Sequence, residues 1–186
     1  EDYSEAKAYI DEIAAEHSDV ASYLETHPEE IDELFDRIEI VDVNRQAVEY
    51  YDAASKDALM DNLDRLMTEE SLATNRQMWQ AVADDKTHFR AETVSRTLDG
   101  RRRDEILEYR VPKEATEDYS RVYVTAINIT ERRERERELE RLKERLELAL
   151  EGARLGVWDW NMKTDTVYRD GRWGEMLGYG SKSVTE

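Results

Sequence analysis

A helix-forming stretch of nearly continuous charge, residues 130–153, lies between two segments whose residues favour β-strands. Its apolar residues recur at alternating intervals of three and four, which is the seam of a coiled coil. The seam comprises Leu139, Leu142, Leu146, Ala149 and Ala153. Because only about two heptads carry good apolar residues, a coil of this length is marginal alone. The alternative is a single solvated helix stabilised by ion pairs between residues four apart.

A stiff helix between two small domains can pass a rotation or a shift from one to the other, which a flexible linker cannot. We therefore predict that this stretch relays a signal. The predicted relay residues are Asn128 and Thr130 at its start and Leu139, Leu142 and Leu146 along its seam. A homodimer is expected, because the seam needs a second helix to cover it.

The chain is strongly acidic, with 45 acidic and 27 basic residues, a formal net charge of −18 and seven lysines. Such a surface is typical of proteins adapted to molar salt, where screening weakens the repulsion that opposes compaction. The alternative is an ordinary acidic domain that its charge keeps soluble. In either case no nucleic-acid binding is expected, because the net field repels phosphate.

The absence of cysteine excludes disulfides, thiolate catalysis and Cys-ligated metal sites. No stretch approaches the roughly 20 apolar residues of a bilayer span, and no signal peptide opens the chain. We therefore expect a cytoplasmic protein segment without a membrane span. At 186 residues beginning with Glu1, it is interpreted as a piece of a longer protein that holds about one and a half domains.

Helical periodicity dominates the N-terminal region. Residues 1–36 are predicted to be helical, and residues 37–43 alternate apolar and polar side chains as a short strand does. Asn44 is predicted to cap a helix over residues 45–51. A longer helix is predicted over residues 68–84.

The strongest strand signal is a β-hairpin, in which residues 87–98 and 101–111 flank the turn pair Asp99-Gly100. A last strand over residues 119–128 alternates between two faces. Helices inserted between an early strand and three late antiparallel strands predict an α+β domain with the helices on one face of the sheet.

A second set of elements follows the charged stretch. Residues 156–161 and 166–169 are predicted to be strands, and a short helix over residues 172–177 is predicted to end at Gly178. Three of the four tryptophans fall in this segment, a density typical of a core. With few elements to cover it, this core is expected to remain partly exposed.

The order of these elements resembles the PAS sensor domains of signalling proteins. The residues that carry the resemblance are IVDVNRQA at 40–47, FRAE at 89–92, RTLDGRR at 96–102 and VTAINITER at 124–132. A second resemblance, to the opening of another PAS domain, rests on LALE at 148–151, GVWDW at 156–160 and RWGEMLGY at 172–179.

The resemblance implies a PAS-like antiparallel sheet with helices on one face, N-terminal helices and a long C-terminal coiled-coil helix. Four segments follow from it: an N-terminal helical extension (1–36), a PAS domain (37–130), a coiled-coil signalling helix (131–153) and the N-terminal part of a second, truncated PAS domain (154–186). It also implies a two-component type of parent protein, such as a sensor histidine kinase or a transcriptional regulator, with its output domain downstream.

Two departures from the family pattern stand out. The exit motif of the family usually begins with Asp, whereas this chain has Asn128, which can form hydrogen bonds but carries no charge. The chain therefore lacks the charge that a latch of the family's type uses at this point. The family also begins with two paired strands, whereas the helical sequence here leaves room for one. The expectation is a four-stranded sheet, or a short first strand that the pattern does not reveal.

PAS domains bind haem, flavins, other chromophores or small metabolites, or only dimerise, so the cofactor stays unknown. Cysteine-dependent flavin and hydroxycinnamate chemistry is excluded. Haem is not expected, because residues 68–84 contain no histidine. His17, His27 and His88 are expected to be surface residues.

The resemblance places a small-molecule pocket between sheet and helices, with Met67, Met78, Trp79 and Phe89 as its predicted neighbours. The alternative is that these four side chains simply fill the core. Tyr123 and Ile127, on the outer face of the last strand, are predicted to dock the N-terminal helices or a second protomer.

No set of acid, base and nucleophile points to catalysis, and neither a catalytic residue nor a metal site is predicted. Two hypotheses remain. In the first, the chain is the sensory and relay part of a multidomain regulator. In the second, it is a ligand-free dimerisation scaffold without a sensing role.

Overall fold

The computed structural model describes residues 1–178 and the backbone of residues 184–185. Tyr179, the last residue of the motif that resembles a second PAS domain, lies outside the described residues. The chain divides into two units, Glu1–Glu131 and Arg132–Glu186. The finer division into four segments stays a prediction.

Three helices occupy the N-terminal region, as predicted: α1 (Ser4–Glu16), α2 (Val20–Thr26) and α3 (Glu29–Asp36). Asp19 caps α2, because its carboxylate accepts a hydrogen bond from the N–H of Ser22. Each helix buries an apolar stripe within the main hydrophobic core of the first unit. The fully buried side chains of these stripes are Ala6, Ile10, Val20, Leu24, Ile31 and Leu34.

The strand predicted over residues 37–43 is wrong. Glu39 makes only an isolated antiparallel bridge to Asp2, through N–H···O bonds of 2.8 and 3.0 Å. The N–H of Tyr3 also donates to the carbonyl of Tyr119 at 2.9 Å. The first residues of the chain therefore occupy backbone groups of both Glu39 and Tyr119, and these groups are not available for pairing residues 37–43 with the end of the domain.

Side-chain caps mark the starts of the two short helices that follow. Asn44 caps α4 (Arg45–Tyr50) as predicted, with its side-chain oxygen 2.8 Å from the N–H three residues later. Then comes α5 (Lys56–Met60). The helix predicted over residues 68–84 is confirmed as a 3-10 turn that leads into α6 (Leu72–Ala83).

The predicted hairpin is also confirmed. β1 (His88–Arg96) and β2 (Arg102–Arg110) pair antiparallel over their whole length. Gly100 in the connecting turn has a φ of +90°, which favours glycine because it has no Cβ to clash with the backbone. β3 (Tyr123–Asn128) pairs with the other edge of β2, so the order in the sheet is β1-β2-β3.

The last strand is shorter than predicted, because residues 119–122 are not part of β3. Tyr119 is fully buried and has a φ of +55°, a left-handed conformation that is uncommon for a bulky side chain and turns the chain. Immediately before β3, the N–H of Val122 donates to the carbonyl of Glu1 at 2.8 Å. The register of β3 therefore begins only after this turn.

The core of the first unit is built around Trp79 of α6, which is fully buried. Its ring lies edge-on to Phe35 at 5.6 Å and tilted to Tyr3 at 5.9 Å. On the sheet, the rings of Phe89 and Tyr109 stack at 5.8 Å and belong to the same core. The predicted combination of an antiparallel sheet with several helices is confirmed.

The charged stretch forms one helix, α7 (Thr130–Ala153), as predicted. Leu139, Leu142 and Leu146 on this helix are 69%, 51% and 59% exposed. Ion pairs such as Arg132–Glu136, with 3.6 Å between nitrogen and oxygen, link residues along the helix. A coiled coil needs a second helix and stays a prediction.

The second unit contains β4 (Trp158–Asn161), β5 (Thr166–Arg169) and α8 (Gly171–Met176), which match the predicted elements. A two-residue strand, β6 (Val184–Thr185), pairs with β5. Aromatic residues of this unit are only partly covered. Trp158, for example, is 60% exposed.

Candidate ligand cavity and relay contact

A cavity of about 960 Å³ lies in the first unit, over one face of the sheet. Residues that alternate along a strand share a face, and this inner face carries Thr93 and Ser95 of β1, Glu105 and Leu107 of β2, and Ala126 of β3. The opposite wall comes from α5, α6 and the loops next to them. Its apolar members are Leu59, Met60, Leu63, Leu66, Met67 and Met78.

The four residues predicted to surround a pocket divide into two pairs. Met67 and Met78 line the cavity. Trp79 and Phe89 belong instead to the core beside it, where Trp79 contacts Phe35 and Phe89 stacks on Tyr109. A ligand-binding role for any of them stays a prediction.

The cavity wall contains one deeply buried carboxylate, that of Glu105, which is 3% exposed. The hydroxyls of Tyr50 and Tyr51, at the end of α4, each donate to its Oε2 at 3.1 Å. Burial raises the pKa of Glu105, and the nearby hydroxyls of Ser95, Tyr50 and Tyr51 oppose this rise. Burial and then the Glu105 charge raise the pKa of Tyr51.

Two hydroxyls beside Glu105 lack hydrogen-bond partners of ordinary geometry. They are the buried Oγ1 of Thr93 and the Oγ of Ser95, which is 6% exposed. The Ser95 hydroxyl still lies close enough to Glu105 to lower the pKa of that carboxylate as a donor. Thr93 and Ser95 both line the cavity, and Thr93 is the direct cross-strand neighbour of Glu105. Because unpaired buried polar groups are costly, a polar group in the cavity would stabilise this wall.

The start of α7 is tied to the neighbouring residue of β2. The hydroxyl of Thr130 accepts a hydrogen bond from the N–H of Asp104 at 3.1 Å and donates to the carbonyl of Asp104 at 3.3 Å. The N–H of Ile129 donates to the same carbonyl at 2.9 Å. Asn128, the other predicted relay residue at this point, accepts from the N–H of Thr130 at 2.9 Å. Both residues therefore lie where helix and sheet join.

The predicted docking residues Tyr123 and Ile127 are 59% and 42% exposed. Tyr123 borders the cavity, and Ile127 lies opposite the buried Ile106 of β2. Among the N-terminal helices, α1 and α2 pack against α6, and α3 packs against α1. Docking of the N-terminal helices or of a second protomer on Tyr123 and Ile127 stays a prediction.

Two of the three histidines, expected at the surface, take part in ring contacts. The ring of Tyr23 stacks on His17 at 4.2 Å and on His27 at 4.3 Å. His88 lies at the start of β1, 3.3 Å from the carboxylate of Glu108. Within the described residues, no group of three or more His, Asp and Glu side chains is arranged to hold a metal ion.

The cluster around Glu105 is not among the predicted site residues, although the sequence carries a signal for it. Glu105, Leu107 and Tyr109 alternate along β2 and must share a face, which places a carboxylate next to apolar side chains. The partner tyrosines come from a different element, and only the fold brings them to this face.

Comparison with protein-family models, with curated proteins and with solved structures gives no match to this chain. None of the helices in the described part combines the length and the hydropathy that a membrane span requires.

Proposed function

We propose that this chain is a sensory relay module of a multidomain signalling protein, with a PAS-like first unit, a dimeric helix α7 and the beginning of a second PAS-like unit. The observation that carries the proposal is the contact between Thr130 and Asp104. It ties the start of α7 to the residue of β2 that directly precedes Glu105 in the cavity wall.

The cavity and the helix are thus attached to adjacent positions of one strand. Asp104 and Glu105 point to opposite faces, so a displacement of β2 by an occupant of the cavity would also move the peptide groups that hold Thr130. A helix responds to such a displacement as a stiff rod, because its backbone hydrogen bonds resist local bending. The relay role of Asn128 and Thr130 rests on this connection.

The exposed leucines of α7 support a homodimer. Leu139, Leu142 and Leu146 follow the three-four spacing of a seam, and each exposes more than half of its surface. A second copy of the same helix would cover them. The parent protein would carry the output domain, of the histidine kinase or transcription-regulator type, downstream of this segment in the cytoplasm.

The alternative function is a dimerisation scaffold without a stimulus. The same exposed leucines favour it, because they require a partner helix whether or not the cavity takes a ligand. The two functions differ in one respect, which is whether a change in the cavity alters the pairing of α7.

This difference can be measured by disulfide cross-linking, because the chain has no cysteine of its own. Single cysteines are introduced by Leu139→Cys, Leu142→Cys and Leu146→Cys, and their rates of cross-linking are compared. Ala126→Leu places added volume in the cavity as a substitute for an occupant. The relay function predicts a changed pattern of rates with Ala126→Leu, and loss of that change when Thr130→Val is added. An unchanged pattern would favour the scaffold.

The dimer itself has a matched test. Leu142→Gln and Leu148→Gln are the same substitution at two exposed positions of α7, but only Leu142 belongs to the seam. Sedimentation equilibrium should show weaker self-association for Leu142→Gln and no change for Leu148→Gln. Equal association of both variants would contradict a leucine-seam dimer.

A further inference from the structure

The cavity described above has one wall whose chemistry selects a ligand class. The carboxylate of Glu105 is nearly fully buried, yet it receives hydrogen bonds mainly at one oxygen. Oε2 accepts from Tyr50 and Tyr51 at 3.1 Å, whereas Oε1 accepts from Tyr51 at 3.4 Å. The hydroxyl of Ser95 also lies beside this carboxylate, and as a donor it lowers the pKa of Glu105. A carboxylate offers about four lone-pair positions, so Oε1 can accept a further donor from the cavity.

The side chains next to Glu105 strengthen the case for a ligand. Ser95 is 6% exposed and lines the cavity, and because its hydroxyl faces Glu105 as a donor, the lone pairs of its Oγ stay open to a ligand. Thr93, beside Glu105 in the sheet, has a buried Oγ1 without a hydrogen-bond partner. Three oxygen atoms therefore border the cavity with acceptor capacity, and a group with several N–H donors would satisfy them together.

The charge of the cavity lining also favours a ligand that carries hydrogen-bond donors and a positive charge. Among the described residues that line it, acidic side chains outnumber basic ones, with Arg121 as the basic member. The acidic members are Glu1, Asp36, Asp42, Asp61, Asp64 and Glu105. Such a lining attracts cations and repels carboxylates or phosphates.

The remaining walls are apolar and set the rest of the ligand. Leu59, Leu66, Met67, Met78 and Leu107 are apolar members of the same lining as Glu105. Methionine side chains adapt to ligands of irregular shape. A volume of about 960 Å³ is large enough for a ring system or a short alkyl chain.

We propose that the cavity binds an apolar organic cation, whose protonated nitrogen donates hydrogen bonds to Glu105 and to the hydroxyls of Ser95 and Thr93. This inference rests on the proposed sensory function and names the ligand class that the module would detect. The apolar body of the cation lies among the leucine and methionine side chains, and its charge neutralises the buried carboxylate.

The test is isothermal titration of the whole chain at about pH 7, where primary amines are protonated. Phenethylamine, tryptamine and n-hexylamine serve as the cationic probes. Indole-3-acetate and 3-ethylindole provide a similar apolar body with a negative charge and with none. We expect at least one amine to bind, and both controls to bind about tenfold more weakly or not at all, because charged hydrogen bonds in a buried site are strong.

Variants of the chain then locate the interaction. Glu105→Gln keeps an acceptor for the two tyrosines but removes the charge, and should weaken amine binding by about tenfold or more. Glu108→Gln, on the opposite face of β2, is the matched control and should bind as the unchanged chain does. Ser95→Ala should weaken binding by a smaller factor and serves as the decisive variant if Glu105→Gln does not fold.

Three results would overturn the proposal: no binding of any of the amines, equal binding of tryptamine and indole-3-acetate, or undiminished amine binding in the folded variants. Failure of the sensory function would be seen separately. The cross-linking comparison with Ala126→Leu needs no ligand, so it can succeed when the amines do not bind and fail when they do.

Discussion

The hydroxyl of Thr130 at the start of α7 both accepts from and donates to the backbone of Asp104 in β2, at 3.1 and 3.3 Å. The backbone groups of Asp104, which lie past the end of β3, are thus paired with the side chain of Thr130 instead of with a strand. Asn128, two residues before Thr130, carries no charge, and its side-chain oxygen accepts a hydrogen bond from the N–H of Thr130 at 2.9 Å.

Thr130→Val should lower the free energy of unfolding of the first unit by about 1–2 kcal/mol, because the partly buried hydroxyl loses two hydrogen bonds while the shape is kept. Urea unfolding followed by the fluorescence of Trp79, in a background where the other three tryptophans are replaced by Phe, measures this change. The amide of Asp104 should also exchange its hydrogen faster, since it loses the bond to Thr130. Thr130→Ser keeps the hydroxyl and is the control. Equal stability of the valine and serine variants would mean that the contact contributes little.

The buried carboxylate of Glu105 predicts a dependence of stability on pH. Burial raises its pKa in the folded state above the ordinary value of 4.5, against the opposing effect of Ser95, Tyr50 and Tyr51. The unfolded chain therefore loses this proton at lower pH than the folded chain does. The contribution of the group is fully present below about pH 4.5 and is lost as the pH rises through the folded pKa.

Comparison with Glu105→Gln isolates this contribution, because all other titrating groups are common to both chains. The unchanged chain should gain stability relative to the variant when the pH is lowered from about 7 to about 4.5. Urea unfolding at several pH values gives the difference directly. A difference that stays constant, or that changes in the opposite direction, would show that the folded-state pKa of Glu105 is not raised.

Much of the fold followed from local patterns in the sequence. The hairpin was predictable because Asp99-Gly100 fixes a turn between two alternating segments, and Gly100 does adopt a positive φ. α7 was predictable because its residues favour helix regardless of their surroundings. The cap at Asn44 was also predictable, because its side chain bonds to an N–H only three residues away.

The errors arose where distant residues compete for the same hydrogen bonds. Residues 37–43 alternate as a strand does, yet Glu39 pairs with Asp2, which lies far away in the sequence. The shortened start of β3 has a related cause, since Tyr119 turns the chain with a positive φ. The candidate site was only partly predictable, because Met67 and Met78 were identified by type and spacing whereas the contact of Glu105 with Tyr50 exists only in the folded chain.

Two glycines allow a test of packing in the second unit. A Cβ at Gly156 would lie 2.5 Å from the Cα of Trp173, so Gly156→Ala must displace the backbone of α8. We expect a loss of about 1–3 kcal/mol, the usual range for overpacking. A Cβ at Gly152, within α7, meets nothing within 4 Å. Gly152→Ala should therefore stabilise the helix by up to about 1 kcal/mol.

Fluorescence of the tryptophans in this unit follows both changes, because three of the four tryptophans of the chain lie in it. Thermal unfolding should occur at a lower temperature for Gly156→Ala and at an equal or higher temperature for Gly152→Ala. If both variants unfolded at the same temperature, the close approach of Gly156 and Trp173 would not be part of the structure in solution.

The net charge of −18 gives the last prediction, which addresses our proposal that the surface is adapted to molar salt. Repulsion among the acidic side chains opposes folding, and screening weakens it as the Debye length falls from about 10 Å at 0.1 M salt to about 3 Å at 1 M. The free energy of unfolding should therefore rise with KCl and continue to rise above about 1 M. An ordinary acidic domain would instead level off well below that concentration. A triple variant, Glu12→Gln, Glu114→Gln and Glu117→Gln, makes three exposed carboxylates neutral and should show a shallower rise. A chain whose stability is independent of KCl, with the triple variant behaving identically, would contradict adaptation to salt.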